Sequence, residues 1–298
     1  MEGGPPAGHE RKEGVAMKIG FHVSIQDGLD KAVDRASDLT CNTFQMFTRS
    51  PRAWAYSALD PAIVDSFRKK LERSQIDPVF IHTPYLLNLS SPDETIYAKS
   101  VDALVAEVNR SGTLGIPYVV THLGSHLGKG VEVGLQRVTL AIRRSLTQNE
   151  NGVVLLLENK AGGRNTVGSN FEELGEIIRR LNGSERVGIC LDTCHCFAAG
   201  YDLGTESSLE EVLATVEDSV SLNRLNLVHL NDSEAPLGSQ VDRHEHIGLG
   251  KIGEEGFRRI LRSPLAKKPM VLETPVDTRR TDMDNLAKVR ELAKNVQS

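Results

Sequence analysis

Cysteine is scarce in this 298-residue chain: there are four, three of them bunched at positions 190, 194 and 196. That spacing excludes the disulfide framework of a small secreted protein. Cationic charge is also short, with 35 Lys and Arg against 40 Asp and Glu and a net charge of -5. A broadly basic nucleic-acid surface is therefore excluded, since phosphate contacts need clustered cations. A locally basic or metal-rich groove is not. No apolar run approaches the roughly 20 residues of a membrane span, and no charged segment followed by an apolar one opens the chain. These features point to a cytoplasmic protein with no membrane partner. No glycine-rich nucleotide turn follows the first apolar run, which argues against dinucleotide binding.

What is present is a repeating alternation. Residues 1 to 16, MEGGPPAGHERKEGVA, carry Gly, Pro and charge without apolar periodicity and read as a disordered tail. From Met17 to the end, short runs rich in Val, Ile and Leu alternate with longer amphipathic stretches such as Leu29, Ala32, Val33 and Ala36 at helical spacing. The strand candidates are KIGFHVS, CNTFQMFT, DPVFIHTPY, IPYVVTHLG, GVVLLLENK, RVGICLDTC, LNLVHLND and PMVLETP. Eight such units, apolar on both faces, predict one TIM (β/α)8 barrel over residues 17–298, with its site at the carboxyl ends of the strands.

Those strand ends carry a pattern. His82, His122, Glu158, Asp192, His229 and Glu273 close the third to eighth runs, 34 to 44 residues apart. In a parallel barrel such residues converge on one mouth whatever their sequence separation. Carboxylates and imidazoles aimed into one cavity repel and desolvate one another unless a cation sits among them. His195 follows Asp192 by three residues, and VDRHEHIGLGKIG supplies Asp242 and His244 as an Asp-x-His pair. Imidazole with carboxylate suits zinc, with manganese or iron as substitutes. Nine ligands exceed one tetrahedral ion and fit a cluster of two or three. The cysteines around His195 offer a competing thiolate site, but C-x3-C-x-C lacks a second CxxC or its histidine partners, and buried free thiols account for them better.

HVS near the start, TRSPRAW, LDTCHCFAAGYD, HLNDS, VDRHEHIGLGKIG and LET together resemble the endonuclease IV family of apurinic/apyrimidinic endonucleases, over Met17 to nearly the C-terminus. The resemblance implies a trinuclear zinc site. His82, His122 and Glu158 would hold the first ion; Glu158 would bridge to a second held by Asp192, His229 and Glu273; His195, Asp242 and His244 would hold the third. It implies hydrolysis of the phosphodiester 5′ to abasic sites in duplex DNA, leaving a 3′-hydroxyl, by metal-activated hydroxide, with Glu158 and Glu273 as the catalytic carboxylates, and trimming of blocked 3′ ends. Arg52, Tyr85 and Leu86 match positions on the loops that enter damaged DNA. A monomer is expected.

Two departures from the family pattern bear on the DNA groove: IHTPY lacks an acidic residue after the third-strand histidine, and HVSIQDGL lacks the small Ala-Gly run after HVS. His22 and His126 stand near the ligands, and either a supporting or a purely structural role suits them. Two other functions fit parts of this pattern. A metal-dependent sugar isomerase would use two ions and leave Asp242 and His244 without a role. A non-catalytic damage-binding protein with structural zinc would have lost some of the ligands, and all nine positions are filled.

Overall fold

The computed structural model describes residues 17–294, so the expected tail at 1–16 lies outside the described residues. In chain order the elements are β1 (Ile19–Phe21), α1 (Leu29–Asp38), β2 (Phe44–Met46), α2 (Pro61–Ser74), β3 (Val79–His82), α3 (Glu94–Leu114), β4 (Tyr118–Thr121), α4 (Val131–Gln148), β5 (Val154–Glu158) and α5 (Phe171–Arg180). There follow β6 (Val187–Asp192), α6 (Thr193–Ala199), α7 (Glu206–Ser219), β7 (Leu225–His229), β8 (Asp232–Ser233), β9 (His244–Glu245), α8 (Gly253–Ile260), β10 (Met270–Leu272) and α9 (Asp282–Lys294). Helix starts are set by local chemistry. Asp60 accepts the Ala62 amide with Pro61 at the first helical position of α2, and the side chains of Asp93 and Asn170 likewise accept first-turn amides of α3 and α5.

Eight parallel strands run in the order β1-β10-β7-β6-β5-β4-β3-β2, each within one of the eight runs picked out in the sequence. The first and last strands of that order meet. His22 and Gln45 form a parallel bridge, Val23 N–H donates to Gln45 O at 2.8 Å and Asn42 N–H to Ile19 O at 3.2 Å. The ring is a TIM barrel closed by a thin seam. Close approach at that seam requires Gly20, because a Cβ there would lie 1.7 Å from the Thr43 carbonyl oxygen.

Inside the ring Phe80, Val120, Leu156, Cys190, Leu227 and Val271 pack as a separate buried cluster, while the larger core lies between sheet and helices. Each of these six stands two residues before one of His82, His122, Glu158, Asp192, His229 and Glu273. Side chains on a strand repeat every second residue. An apolar plug at one level thus aims all six polar groups inward at the next level up.

The short antiparallel pair of β8 and β9 was not foreshadowed by the strand pattern. It is two residues long on each side, with Asp232 opposite Glu245 and Ser233 opposite His244.

Candidate metal centre

Glu158 sits at the middle of the mouth and is only 1% exposed. One oxygen lies 2.9 Å from His82 Nε2 and 3.4 Å from His122 Nδ1, and the other lies 3.3 Å from both His195 Nδ1 and His229 Nδ1. Asp192 Oδ2 is 3.7 Å from His229 Nδ1 and 3.6 Å from His244 Nε2, and Glu273 Oε2 is 3.6 Å from His229 Nδ1. Asp242 Oδ1 approaches His195 Nε2 at 3.0 Å and His244 Nε2 at 3.6 Å. All nine sequence-predicted ligand positions therefore face one another. Six of them, His82, His122, His195, Asp242, His244 and Glu273, line a cavity of about 380 Å³.

The ring nitrogens are sorted by their surroundings. A carbonyl oxygen can only accept, so His82 Nδ1–H donates to Thr83 O (2.7 Å), His195 Nδ1–H to Asn159 O (2.9 Å) and His244 Nδ1–H to Glu273 O (3.0 Å). Each leaves Nε2 facing the cavity. His229 is turned the other way: its Nε2 lies 2.9 Å from the Gln45 side-chain oxygen, which leaves Nδ1 toward the carboxylates.

Three overlapping groups result, in which one donor atom from each residue lies within 4.8 Å of the others: His82, His122 and Glu158; Glu158, Asp192 and His229; Asp192, His195 and His244. The grouping puts Asp192, rather than Asp242, with His195 and His244 in the third group. Asp242 also lies within 3.6 Å of those two rings, so both carboxylates flank that position.

Whether a metal suits these residues can be judged from the protein alone. His122 Nδ1 and His244 Nε2 are buried without a hydrogen-bond partner, a state that costs free energy unless something else engages the lone pair. Burial disfavours a charged Glu158, yet the imidazoles of His122 and His229 outweigh it and hold the carboxyl well below the usual range. Burial also opposes charge on His195, but Asp192, Asp242 and Glu158 raise its pKa well above the ordinary value, and His229 is raised likewise despite burial, by Cys190, Glu273 and Glu158. His122 is driven down by burial. The pocket therefore recruits positive charge against a strong desolvation penalty. Divalent cations meet that demand with the donor atoms present.

The cysteines do not join the site as thiolates. All four are buried and free, and burial pushes the Cys190 thiol up to about 12 and raises Cys194 and Cys196 as well.

Several supporting residues carry roles not assigned from the sequence, although Asn231 and Asp232 lie within HLNDS. Asn159 receives the Asp192 amide at 2.7 Å, and Asn231 donates to Asp192 Oδ2 at 2.8 Å while accepting the Glu273 amide at 2.8 Å. Buried Asp232 accepts five backbone amides, from Ser233, Gly248, Gly250, Ile252 and Gly253. It thereby gathers the HIGLGKIG loop against the hairpin that carries His244. Gly250 lacks a side chain for a reason, since its Cβ would lie 2.5 Å from the Asp232 carboxylate. The recurring glycines of that motif were the available signal.

Of the loop residues, Tyr85 lines the cavity, stands 62% exposed and meets Phe47 edge-on at 5.3 Å. Arg52 is exposed and Leu86 half-buried on neighbouring loops, and neither lines the cavity. His22 joins the site through Glu273 at 3.1 Å. His126 instead accepts the Gly130 amide and serves its own loop.

Comparison with known proteins accords with this architecture. The family model described as xylose isomerase-like TIM barrel matches residues 33–296. A protein of Methanoculleus marisnigri named "Probable endonuclease 4" is 53% identical over 277 residues, covering 92% of this chain and 98% of that protein. The crystal structure of endonuclease IV from Thermus thermophilus superposes with a TM-score of 0.82 at 39% identity, covering 93% of this chain and 99% of that one. A D-tagatose 3-epimerase-like protein shares the fold alone, with a TM-score of 0.73 at 19% identity, covering 94% of this chain and 98% of that one. With near-complete coverage at such identity, and the barrel and the strand-end constellation already in place, the chain belongs to the endonuclease IV family.

Proposed function

We propose that this DNA-repair endonuclease of the apurinic/apyrimidinic class hydrolyses the phosphodiester 5′ to an abasic site in duplex DNA, leaving a 3′-hydroxyl, and trims blocked 3′ ends at the same centre. The observation that carries the reading is Glu158, one buried carboxylate within 3.4 Å of four imidazoles and shared between two ligand groups. His82, His122 and Glu158 would hold one zinc; Glu158, Asp192, His229 and Glu273 a second; His195, His244 and Asp242, with Asp192 adjacent, a third. Manganese or iron would suit the same donors. Bound there, such ions would supply positive charge to a phosphodiester at the mouth and lower the pKa of water toward about 7.

The chain's own part is to place and select. Glu158, common to the first two sets, fixes their spacing, and Glu273 adds a carboxylate beside His229 in the second. Tyr85, propped on Phe47 at the rim, presents a planar face to DNA, and Arg52 offers a cation on the neighbouring loop. Inserting such groups between bases costs a few kcal/mol of unstacking, least where a base is already missing. The third set is what separates this reading from a sugar isomerase, which has no task for His195, His244 and Asp242 together.

Elemental analysis of purified protein, paired with incision of a duplex bearing one abasic analogue before and after chelation, tests the proposal. Two to three transition-metal ions per chain and chelator-sensitive cleavage at the analogue are expected. Chelator-insensitive cleavage would sink it.

A further inference from the structure

We propose that Gln45 is a positioning residue that turns His229 and Glu273 toward the same ion, an inference that rests on the metal centre described above. Gln45 is fully buried in β2, in register with Phe80, one of the six apolar residues that plug the barrel. A primary amide in that layer is costly unless its hydrogen-bonding capacity is used. Here it is used upward, toward the site.

The orientation of the amide is fixed by its neighbours. Glu273 Oε1, 2.8 Å away, can only accept, so the Gln45 nitrogen faces it. The Gln45 oxygen then faces His229 Nε2 at 2.9 Å and accepts a hydrogen bond from Nε2–H. Both outcomes serve one location: His229 presents Nδ1, and Glu273 is left with Oε2, 3.6 Å from that Nδ1. His82, His195 and His244 are sorted by backbone carbonyls, which any sequence provides. His229 alone of these four depends on a side chain for the choice of its donor atom, and that side chain also holds Glu273.

Gln45→Met keeps the volume and removes the hydrogen bonds to His229 and Glu273, together with the amide nitrogen's 2.9 Å contact to His22 Nδ1, while Gln45→Asn keeps the amide but is one methylene too short to reach His229 and Glu273 together. In a chelator competition, one of the zinc-binding steps, that of the ion held by His229 and Glu273, should weaken by about 10- to 100-fold in either variant, the range seen for residues supporting metal ligands. In zinc-loaded wild-type protein, nitrogen NMR should find the His229 proton on Nε2; in the variants that signal should broaden or move to Nδ1. The metal-free Gln45→Met protein should melt no lower than wild type, which separates a positioning role from a purely structural one. Wild-type zinc affinity together with an unchanged His229 proton in the variants would overturn the inference; if Gln45→Met fails to fold, the same two measurements on Gln45→Asn decide. Failure of the wild-type protein to bind any transition-metal ion would instead overturn the metal centre itself.

Discussion

A carboxylate that lies against four imidazoles is worth more than its own charge, since it is the one group common to two ligand sets in the first half of the site. Glu158→Gln keeps the shape and deletes the charge. Single-turnover incision should fall by at least about a hundredfold and metal content by one ion or more, measured on the same preparation. Cys194 is the useful contrast. It adjoins His195 in the chain, but its sulfur donates to the Arg243 carbonyl at 3.5 Å, and burial keeps the thiol protonated. Cys194→Ser should therefore retain activity within about tenfold. A loss equal to that of Glu158→Gln would return thiolate ligation to the centre.

At the scale of elements, the loop after β2 is held by a buried ionic cluster on α3. Glu107 accepts from Arg49 Nε and from the Thr48 hydroxyl at 2.6 Å each, and Arg110 grips Thr48 and the Ser57 carbonyl. Arg49 also donates to the Trp54 carbonyl at 2.8 Å, so the turn bearing Arg52 is tied down at both ends. Glu107→Ala would leave Arg49 and its neighbour Arg110 without their buried counter-charge and should cost about 3–5 kcal/mol in urea unfolding. Binding of an abasic duplex should weaken with it, while zinc content stays at the wild-type level. The rim and the floor should separate in a second experiment. Tyr85→Ala removes a stacking face worth about 1–3 kcal/mol and should raise the dissociation constant for abasic duplex more than it slows the bound complex. His244→Ala should do the opposite, and equal losses in both parameters for both variants would mean the two roles are misassigned.

This scale is also where the sequence was most and least informative. Strands that are apolar on both faces announce themselves because burial forces the composition, so all eight barrel strands were legible; six of them lead into a His, Asp or Glu at the mouth, while His195, Asp242 and His244 were found from the motifs that follow the strands. The supporting roles of Gln45, Asn159, Asn231 and Asp232 were not legible, even with the last two inside HLNDS. Each acts through a contact with a residue distant in sequence or through backbone amides, and an amide or carboxylate in a strand or loop has many ordinary uses. A glutamine between Phe44 and Met46 was nonetheless a readable oddity, since the inward face of a barrel strand rarely carries a polar group without a partner. The β8–β9 hairpin escaped because two residues a side give no periodicity to detect.

For the molecule as a whole, closure of the ring depends on β1 passing close to β2, and Gly20 is where the clearance is least. Gly20→Ala would drive a methyl into the Thr43 carbonyl, backbone that cannot rotate away. A loss of about 3 kcal/mol or more is expected by denaturant unfolding. Unfolding indistinguishable from wild type would show that the two strands separate at little cost.

That same seam gives the barrel a dependence on its contents. Where the other neighbouring strands share a ladder, β1 and β2 share one bridge, and its two residues are His22 and Gln45, both bonded to Glu273 across the mouth. An ion held by Glu273 and His229, as proposed, would therefore also fasten the last join in the ring. Hydrogen exchange should report it: the Val23 amide, donated across the seam to Gln45, should exchange with deuterium faster in chelated protein than in zinc-loaded protein, while amides of β5 and β6 change little. Equal exchange at Val23 in the two states would uncouple the join from the ions. If the rates differ, the hoop is tightened from inside, and its slackness becomes a gauge of how many ions the chain is carrying.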